Sequence, residues 1–331
     1  MSVSPDQWVE AHVGPVAEAL SSAVFYAIPV AGTQVPLIVI WLAVAAVFFT
    51  VYLRFINLRA LGLAIRHVKG DFADPTARGE ISHFKAVATA ISGTVGVGNI
   101  GGVAVAISLG GPGAAFWLFL AGVLSMSTKL VECTLGVKYR RYNADGSVSG
   151  GPMFYLEAYF SERGRPLLGK SMGAFYALAL VIGCLGIGNM FQSNQAYAQV
   201  LVITGGPASA LVDMGWLFGL GLAAIVAAVI IGGIQSIARV AAILVPVMAL
   251  LYVVSCVVVI TLSAEYLPGA LQLVLSEAFT GQAASGGALG AVIIGFQRAL
   301  FSNEAGIGSA SIAHAAVKTE APASEGITAL L

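Results

Sequence analysis

Charge is what this chain has least of. Asp, Glu, Lys and Arg make up 10% of its 331 residues, against about 25% in an ordinary soluble domain. Hydrophobic residues make up 58%, and the mean hydropathy is +0.90. This excludes a soluble globular enzyme as the default, and also disorder, which needs low hydrophobicity and high net charge. The 16 basic and 16 acidic residues cancel, so no bulk field gathers nucleic acid or acidic partners. Cysteine is scarce too. Cys133, Cys184 and Cys256 each sit alone in an apolar stretch, so neither a disulfide framework nor a zinc site is expected. His12, His67, His83 and His314 have no metal-ligand spacing to one another. A Walker A sequence, a nucleophile elbow and a catalytic triad are missing, so the chain reads as not an enzyme, with no organic cofactor.

What is present is long apolar runs. A helix needs about 20 mostly apolar residues to cross a bilayer. Seven stretches qualify, at 35–53, 84–109, 113–137, 172–203, 216–233, 237–262 and 289–316. The class is an all-α polytopic membrane protein. Lys and Arg cluster after the first span (Arg54, Arg59, Arg66, Lys69, Arg78) and after the third (Lys138, Arg140, Arg141, Arg163, Arg165, Lys170), whereas 1–34, 204–215 and 263–288 hold none. By the positive-inside rule this sets the N-terminus outside and the basic loops in the cytoplasm. The segments 153–160 and 267–279 mix apolar residues with a Glu and read as lipid-surface helices or solvated loops.

Two spans share a pattern. The second contains Ser92-Gly93-Thr94-Val95-Gly96-Val97-Gly98-Asn99, and the seventh contains Ser302-Asn303-Glu304-Ala305-Gly306-Ile307-Gly308. One offset, 210 residues, relates Ser92 to Ser302, Gly96 to Gly306 and Gly98 to Gly308. Each interior Gly costs a helix about 1 kcal/mol relative to Ala, so both spans should unwind there. Unwound backbone cannot face lipid and must line a polar cavity. Counting spans, the two segments cross in opposite directions. Gly-interrupted spans at matching places in inverted halves point to a secondary-transporter site. Freed amides would meet an anion and freed carbonyls a cation, which together fit a zwitterionic amino acid plus a metal cation. Close helix packing through Gly98 and Gly102 is the plainer alternative. A dinucleotide site at Gly96-x-Gly98-x-x-Gly101 lacks its βαβ frame.

Other polar residues lie at membrane depth. Glu304 would counter a substrate ammonium, ligate a cation or carry a proton, with a structural pairing to Arg298 as the alternative. Asn189, Gln192, Ser193, Asn194 and Gln195 crowd the fourth span and face the cavity or join helices. Lys129 and Glu132 read as a snorkelling or mutually paired couple.

As a set, these residues resemble the alanine or glycine:cation symporter family, the sodium–alanine symporters of prokaryotes. The resemblance rests on Gly96-Val97-Gly98-Asn99-Ile100, Gly110-Gly111-Pro112-Gly113-Ala114-Ala115-Phe116-Trp117, Gly150-Gly151-Pro152-Met153, Asn189-Met190-Phe191-Gln192 and Ser302-Asn303-Glu304-Ala305-Gly306. It covers most of the chain from Lys85 onward, with Leu118-Phe119 as a departure from the family's usual Met-Trp. It implies the leucine-transporter-type inverted-repeat fold and sodium-coupled uptake of a small neutral amino acid, alanine or glycine, across the inner membrane. Val95-Gly96-Val97-Gly98-Asn99 is also similar to the first broken helix of neurotransmitter:sodium symporters.

The substrate residues so implied are Thr94, Gly96, Val97, Gly98, Asn99, Gln192, Phe301, Glu304 and Gly306. Amides of Val97 and Gly98 would take the carboxylate, and the Phe301 carbonyl with Glu304 would face the ammonium. Sodium would be held by oxygens of Ser92, Thr94, Val95, Asn99 and Ser302, as suits a hard cation. Proton coupling through Glu304 is the rival function.

The fold needs five plus five core spans. Here 1–34 would be a periplasmic segment and 35–331 the transporter domain, with one extra span, the first repeat at 84–262 and the start of the second at 289–331. Four spans are lacking, so a truncated product is expected, and a purely structural role is a further alternative.

Overall fold

A computed structural model describes residues 5–30, 33–280 and 287–331. Helices dominate. In chain order they are α1 (Pro5–Val24), α2 (Leu37–Tyr52), α3 (Ile56–Arg59), α4 (Leu61–Lys69), α5 (His83–Thr94), α6 (Val97–Gly110), α7 (Gly113–Lys138), α8 (Pro152–Glu162), α9 (Pro166–Gly183), α10 (Phe191–Ile203), α11 (Gly215–Ile230), α12 (Gly233–Leu262), α13 (Leu267–Thr280), α14 (Gly287–Asn303), α15 (Ser309–Ala315) and α16 (Pro322–Thr328). Two small antiparallel hairpins join them: β1 (Ala27–Val30) with β2 (Thr33–Pro36), and β3 (Arg141–Tyr142) with β4 (Val148–Ser149).

The expected spans map onto these helices with instructive shifts. Among the described residues three helical runs are long and apolar enough to cross a membrane: Gly113–Lys138, Pro166–Ile203 and Gly233–Leu262. A fourth is the pair α5 and α6, bent by 46°. The expected 35–53 span shortens to α2, because β2 pairs with β1 through Pro36. The run from α9 to α10 passes through a π-helical stretch, Cys184–Met190, a local underwinding of the helix that is frequent at functional sites. The N-terminal segment before the first expected span, for which the sequence offered no element, carries α1 and most of the first hairpin. Of the two segments left between surface helix and loop, one is α8 and the other α13.

The long helix α7 is the axle. It starts after Gly110-Gly111-Pro112, where proline at the helix entrance removes no needed donor, and it packs against α2, α14, α15 and α16. Its contact with α14 is close: a Cβ on Gly295 would lie 2.6 Å from Trp117 Cβ and 2.8 Å from the Ala114 carbonyl oxygen. Only glycine permits that crossing. Around it Val39, Ala121, Phe296, Ala299 and Leu300 form a buried cluster. Along α9 to α12 large apolar side chains such as Phe175, Ile231 and Leu262 point outward, which a hydrocarbon surround tolerates and water does not.

Candidate functional site

Both glycine-rich segments are interrupted helices. The first loses its helix at Val95 (φ −91°, ψ 110°) and Gly96 (φ −158°, ψ −151°) and resumes at Val97. Two amides released there find side chains. Gly96 N–H donates to Asn99 Oδ1 at 2.9 Å, and Val97 N–H donates to Gln192 Oε1 at 3.1 Å. The hydroxyls of Ser92 and Thr94 donate to backbone carbonyls of their own helix, at Thr89 and Ala90, so each oxygen keeps lone pairs for another partner.

The second interruption is longer. It runs between Asn303 and Ser309, with Glu304, Gly306 and Gly308 at φ +53°, +89° and +92°. Left-handed backbone is cheap for the two glycines and strained for Glu304. Here the released amides go to a carboxylate. Glu132 Oε2 accepts from Gly306 N–H at 3.0 Å and from Gly308 N–H at 3.1 Å. Its other oxygen lies 3.2 Å from Lys129 Nζ. The Glu304 carboxylate accepts from Ser309 Oγ at 2.5 Å, while Arg298 Nε is buried without a hydrogen-bond partner. Among the described residues no ion pair joins Glu304 to Arg298, so that alternative is set aside.

The interruptions touch. Asn99 Nδ2 donates to the Ser302 carbonyl at 3.3 Å, and the Phe301 ring lies against Gly98. Cavities flank them. One of about 690 Å³ is lined by Ser92, Val95, Gly96, Tyr176, Gln192 and Glu304, among others. Another of about 230 Å³ is lined by Thr94, Val95, Asn99, Asn303 and Lys129, among others. The residues implied for substrate and sodium are thus brought close but divided: Gln192 and Glu304 border one space, Thr94 and Asn99 the other. Val95 borders both.

Of the polar cluster in the fourth span, Gln192 alone reaches the first break among the described residues. Ser193 Oγ bonds back to the Asn189 and Met190 carbonyls, and Gln195 bonds to its neighbour Asn194. Lys129 and Glu132 are paired and buried rather than snorkelling. The role of Glu132 at the second break was not legible beforehand, although a carboxylate deep in an apolar helix was a signal for it. At the end of the molecule carrying the basic loops, Glu325 Oε1 meets His83 Nδ1, and its Oε2 lies 2.6 Å from His314 Nδ1. Two of the four histidines that looked unrelated in sequence, His83 and His314, therefore converge on one carboxylate. Among the described residues no cluster of His, Cys, Asp or Glu is arranged to hold a metal ion.

Residues 19–331 match the family model described as the sodium:alanine symporter family. The chain belongs to that family. It is a family of membrane transporters, not of enzymes. Among similar proteins, the sodium/alanine symporter AgcS of Methanococcus maripaludis is 38% identical over 296 residues, covering 89% of this chain and 63% of the relative. The probable sodium/glutamine symporter GlnT of Bacillus subtilis is 34% identical over 292 residues, 88% of this chain and 58% of the relative. The putative sodium/proton-dependent alanine carrier protein YrbD of Bacillus subtilis is 32% identical over 280 residues, 84% of this chain and 54% of the relative. The chain spans less than two thirds of the length of each of these symporter relatives.

Proposed function

We propose that the two interrupted helices form a site for an amino acid and a sodium ion, and that sodium entry drives uptake of a small neutral amino acid, alanine or glycine. The observation that carries this reading is the Asn99–Ser302 hydrogen bond, which holds one interruption against the other. A zwitterion has one pole for each kind of group there. Its carboxylate suits the amides opening α6, where the helix dipole also favours negative charge. It would take the Val97 amide in place of the Gln192 carboxamide oxygen. Its ammonium suits the end of α14 and the Glu304 carboxylate. Sodium suits the oxygens of Ser92, Thr94, Val95, Asn99 and Ser302. Lys129 beside Thr94 and Asn99 disfavours a cation there unless Glu132 neutralises it, and the 3.2 Å pair supplies that neutralisation.

Coupling requires that sodium raise substrate affinity, and by linkage that substrate raise sodium affinity equally. Inverted repeats rocking about the fixed site, with the basic loops in the cytoplasm and the N-terminus outside, complete the reading. The test is uptake of radiolabelled alanine into proteoliposomes holding this chain. Uptake should rise with an inward sodium gradient. Equal uptake with choline replacing sodium would reject sodium coupling.

A second reading, proton coupling, is favoured by the position of Glu304. Its carboxylate borders the larger cavity and is reached by the Ser309 hydroxyl. Under that reading Glu304→Gln abolishes uphill uptake and spares exchange. Under sodium coupling it lowers affinity while sodium dependence persists.

A further inference from the structure

The two half-helices at the basic end, α5 and α15, are joined by more than packing. Their ends share backbone bonds: Glu80 N–H donates to the Ala316 carbonyl at 2.7 Å, Lys318 N–H donates to the Ile81 carbonyl at 2.9 Å, and Ile81 bridges Val317. Arg140, just past the end of α7, donates to the carbonyls of Ala315, Val317, Thr319 and Arg78, and so ties the chain leaving α15 to the chain entering α5. Beneath these lies the carboxylate of Glu325. It holds His83, the first residue of α5, with one oxygen and His314, in the last turn of α15, with the other. The three side chains are 0–6% exposed. The next imidazole, His67, stands with its ring centroid 5.5 Å from that of His83.

Removing one partner of such a buried set leaves desolvated polar atoms unpaired. The set therefore resists separation of the two helices. The interruptions above it have clasps of their own, Glu132 on the amides of Gly306 and Gly308 and Asn99 between Gly96 and Ser302, but they contain the bend between α5 and α6 and the left-handed stretch from Glu304 to Gly308, where the chain has left regular helix.

We propose that Glu325 is a positioning residue that fastens α5 and α15 into a single moving unit, so that these half-helices open and close the site together rather than one at a time. The purpose of such a unit rests on the symporter reading, but its test needs no transport. In the full chain, with Cys133, Cys184 and Cys256 replaced by Ser, spin labels are placed at Lys85→Cys on α5 and Lys318→Cys beyond α15. A second pair joins Lys85→Cys to Asn194→Cys on α10. Distances are measured by pulsed electron resonance in nanodiscs, with sodium plus alanine and with choline alone.

The 85–318 pair should give one narrow distribution that is the same in both conditions. Glu325→Ala should broaden it by several ångström, and Glu325→Gln, which keeps the shape but weakens both bonds, should broaden it less. His83→Ala and His314→Ala should each resemble Glu325→Ala. The proposal is overturned if the wild-type 85–318 distance differs between conditions, or if both Glu325 variants keep the wild-type distribution. The 85–194 pair reports separately whether ligand moves the unit at all, so a failed symporter reading shows there and not in the Glu325 comparison.

Discussion

Asn99 is bonded to both interruptions at once, accepting from Gly96 N–H at 2.9 Å and donating to the Ser302 carbonyl at 3.3 Å. One carboxamide thus caps the start of α6 and clasps the end of α14. Two helices that unwind at the glycines are kept at a fixed separation by a side chain four residues past Val95.

Replacing that side chain tests the clasp. Asn99→Ala leaves an amide and a carbonyl without their partner and should cost about 1–3 kcal/mol. Asn99→Asp keeps the acceptor for Gly96 but sets a carboxylate against the Ser302 carbonyl, so it should rescue only part of the loss. Thermal unfolding in detergent, with and without alanine and sodium, reads both effects. The ligand-induced stabilisation should shrink in both variants.

Gln192 occupies the amide that the substrate carboxylate would use. Gln192→Glu puts a permanent carboxylate there, with a stronger charge-assisted bond to Val97 N–H. Apparent alanine affinity should fall by roughly tenfold or more while the fold is retained. Gly96→Ala is the companion variant. Its new Cβ would lie 3.0 Å from the Gln192 carboxamide, the far end of a flexible side chain, so it should shift affinity with little effect on unfolding temperature.

Gly308 is the least replaceable residue of the second interruption. It sits at φ +92°, and a Cβ there would overlap Pro152 Cγ. Proline cannot swing aside. Gly308→Ala should destabilise the protein by about 2 kcal/mol or more, which thermal unfolding measures directly.

The Lys129–Glu132 pair is buried in α7, where removing one charge is costly because the other stays desolvated, about 3–5 kcal/mol in comparable pairs. The two removals should not be equal. Lys129→Met leaves Glu132 with its bonds from Gly306 and Gly308, whereas Glu132→Gln takes away the negative charge 3.2 Å from Lys129 Nζ, a buried ammonium that has no hydrogen-bond partner to fall back on. Unfolding temperatures should therefore fall further for Glu132→Gln.

Acid should weaken the basic end first. Burial alone would raise the Glu325 carboxyl, but the hydrogen bonds and charges of His314 and His83 outweigh it and hold the group below its ordinary value of 4.5. A carboxyl depressed in the folded state stabilises fully above that ordinary value, and the contribution is lost as pH falls through the lower folded value. Wild type should lose stability below about pH 4.5 more steeply than Glu325→Gln, which has no carboxyl to protonate. Chemical unfolding at pH 7 and at progressively lower pH compares the two slopes.

The interruptions were legible because their cause is local. Ser92 to Asn99 and Ser302 to Gly308 carry enough glycine to disfavour a helix wherever they occur, and the shared spacing marked them as related. Gln192 was legible as a carboxamide in an apolar span. The clasps around them were not. Glu132 lies 174 residues from Gly306, and Glu325 lies 242 residues from His83; neither separation leaves a periodic trace. Lys129 and Glu132 looked like a local pair because three residues place them on one helix face. That pairing is real, but it describes only one of the two carboxylate oxygens. The N-terminal helix α1 was missed for the opposite reason. Gly14 and Pro15 interrupt its pattern, and it is not an apolar run of spanning length.

The central claim is that the joined interruptions bind an amino acid with the help of sodium. Equilibrium binding of radiolabelled alanine to the chain in nanodiscs, in sodium chloride and in choline chloride at equal ionic strength, tests it most directly. Saturable binding that sodium strengthens, and that Gln192→Glu weakens, is the predicted result. Binding that is indifferent to sodium, or no saturable binding in either salt, would contradict it.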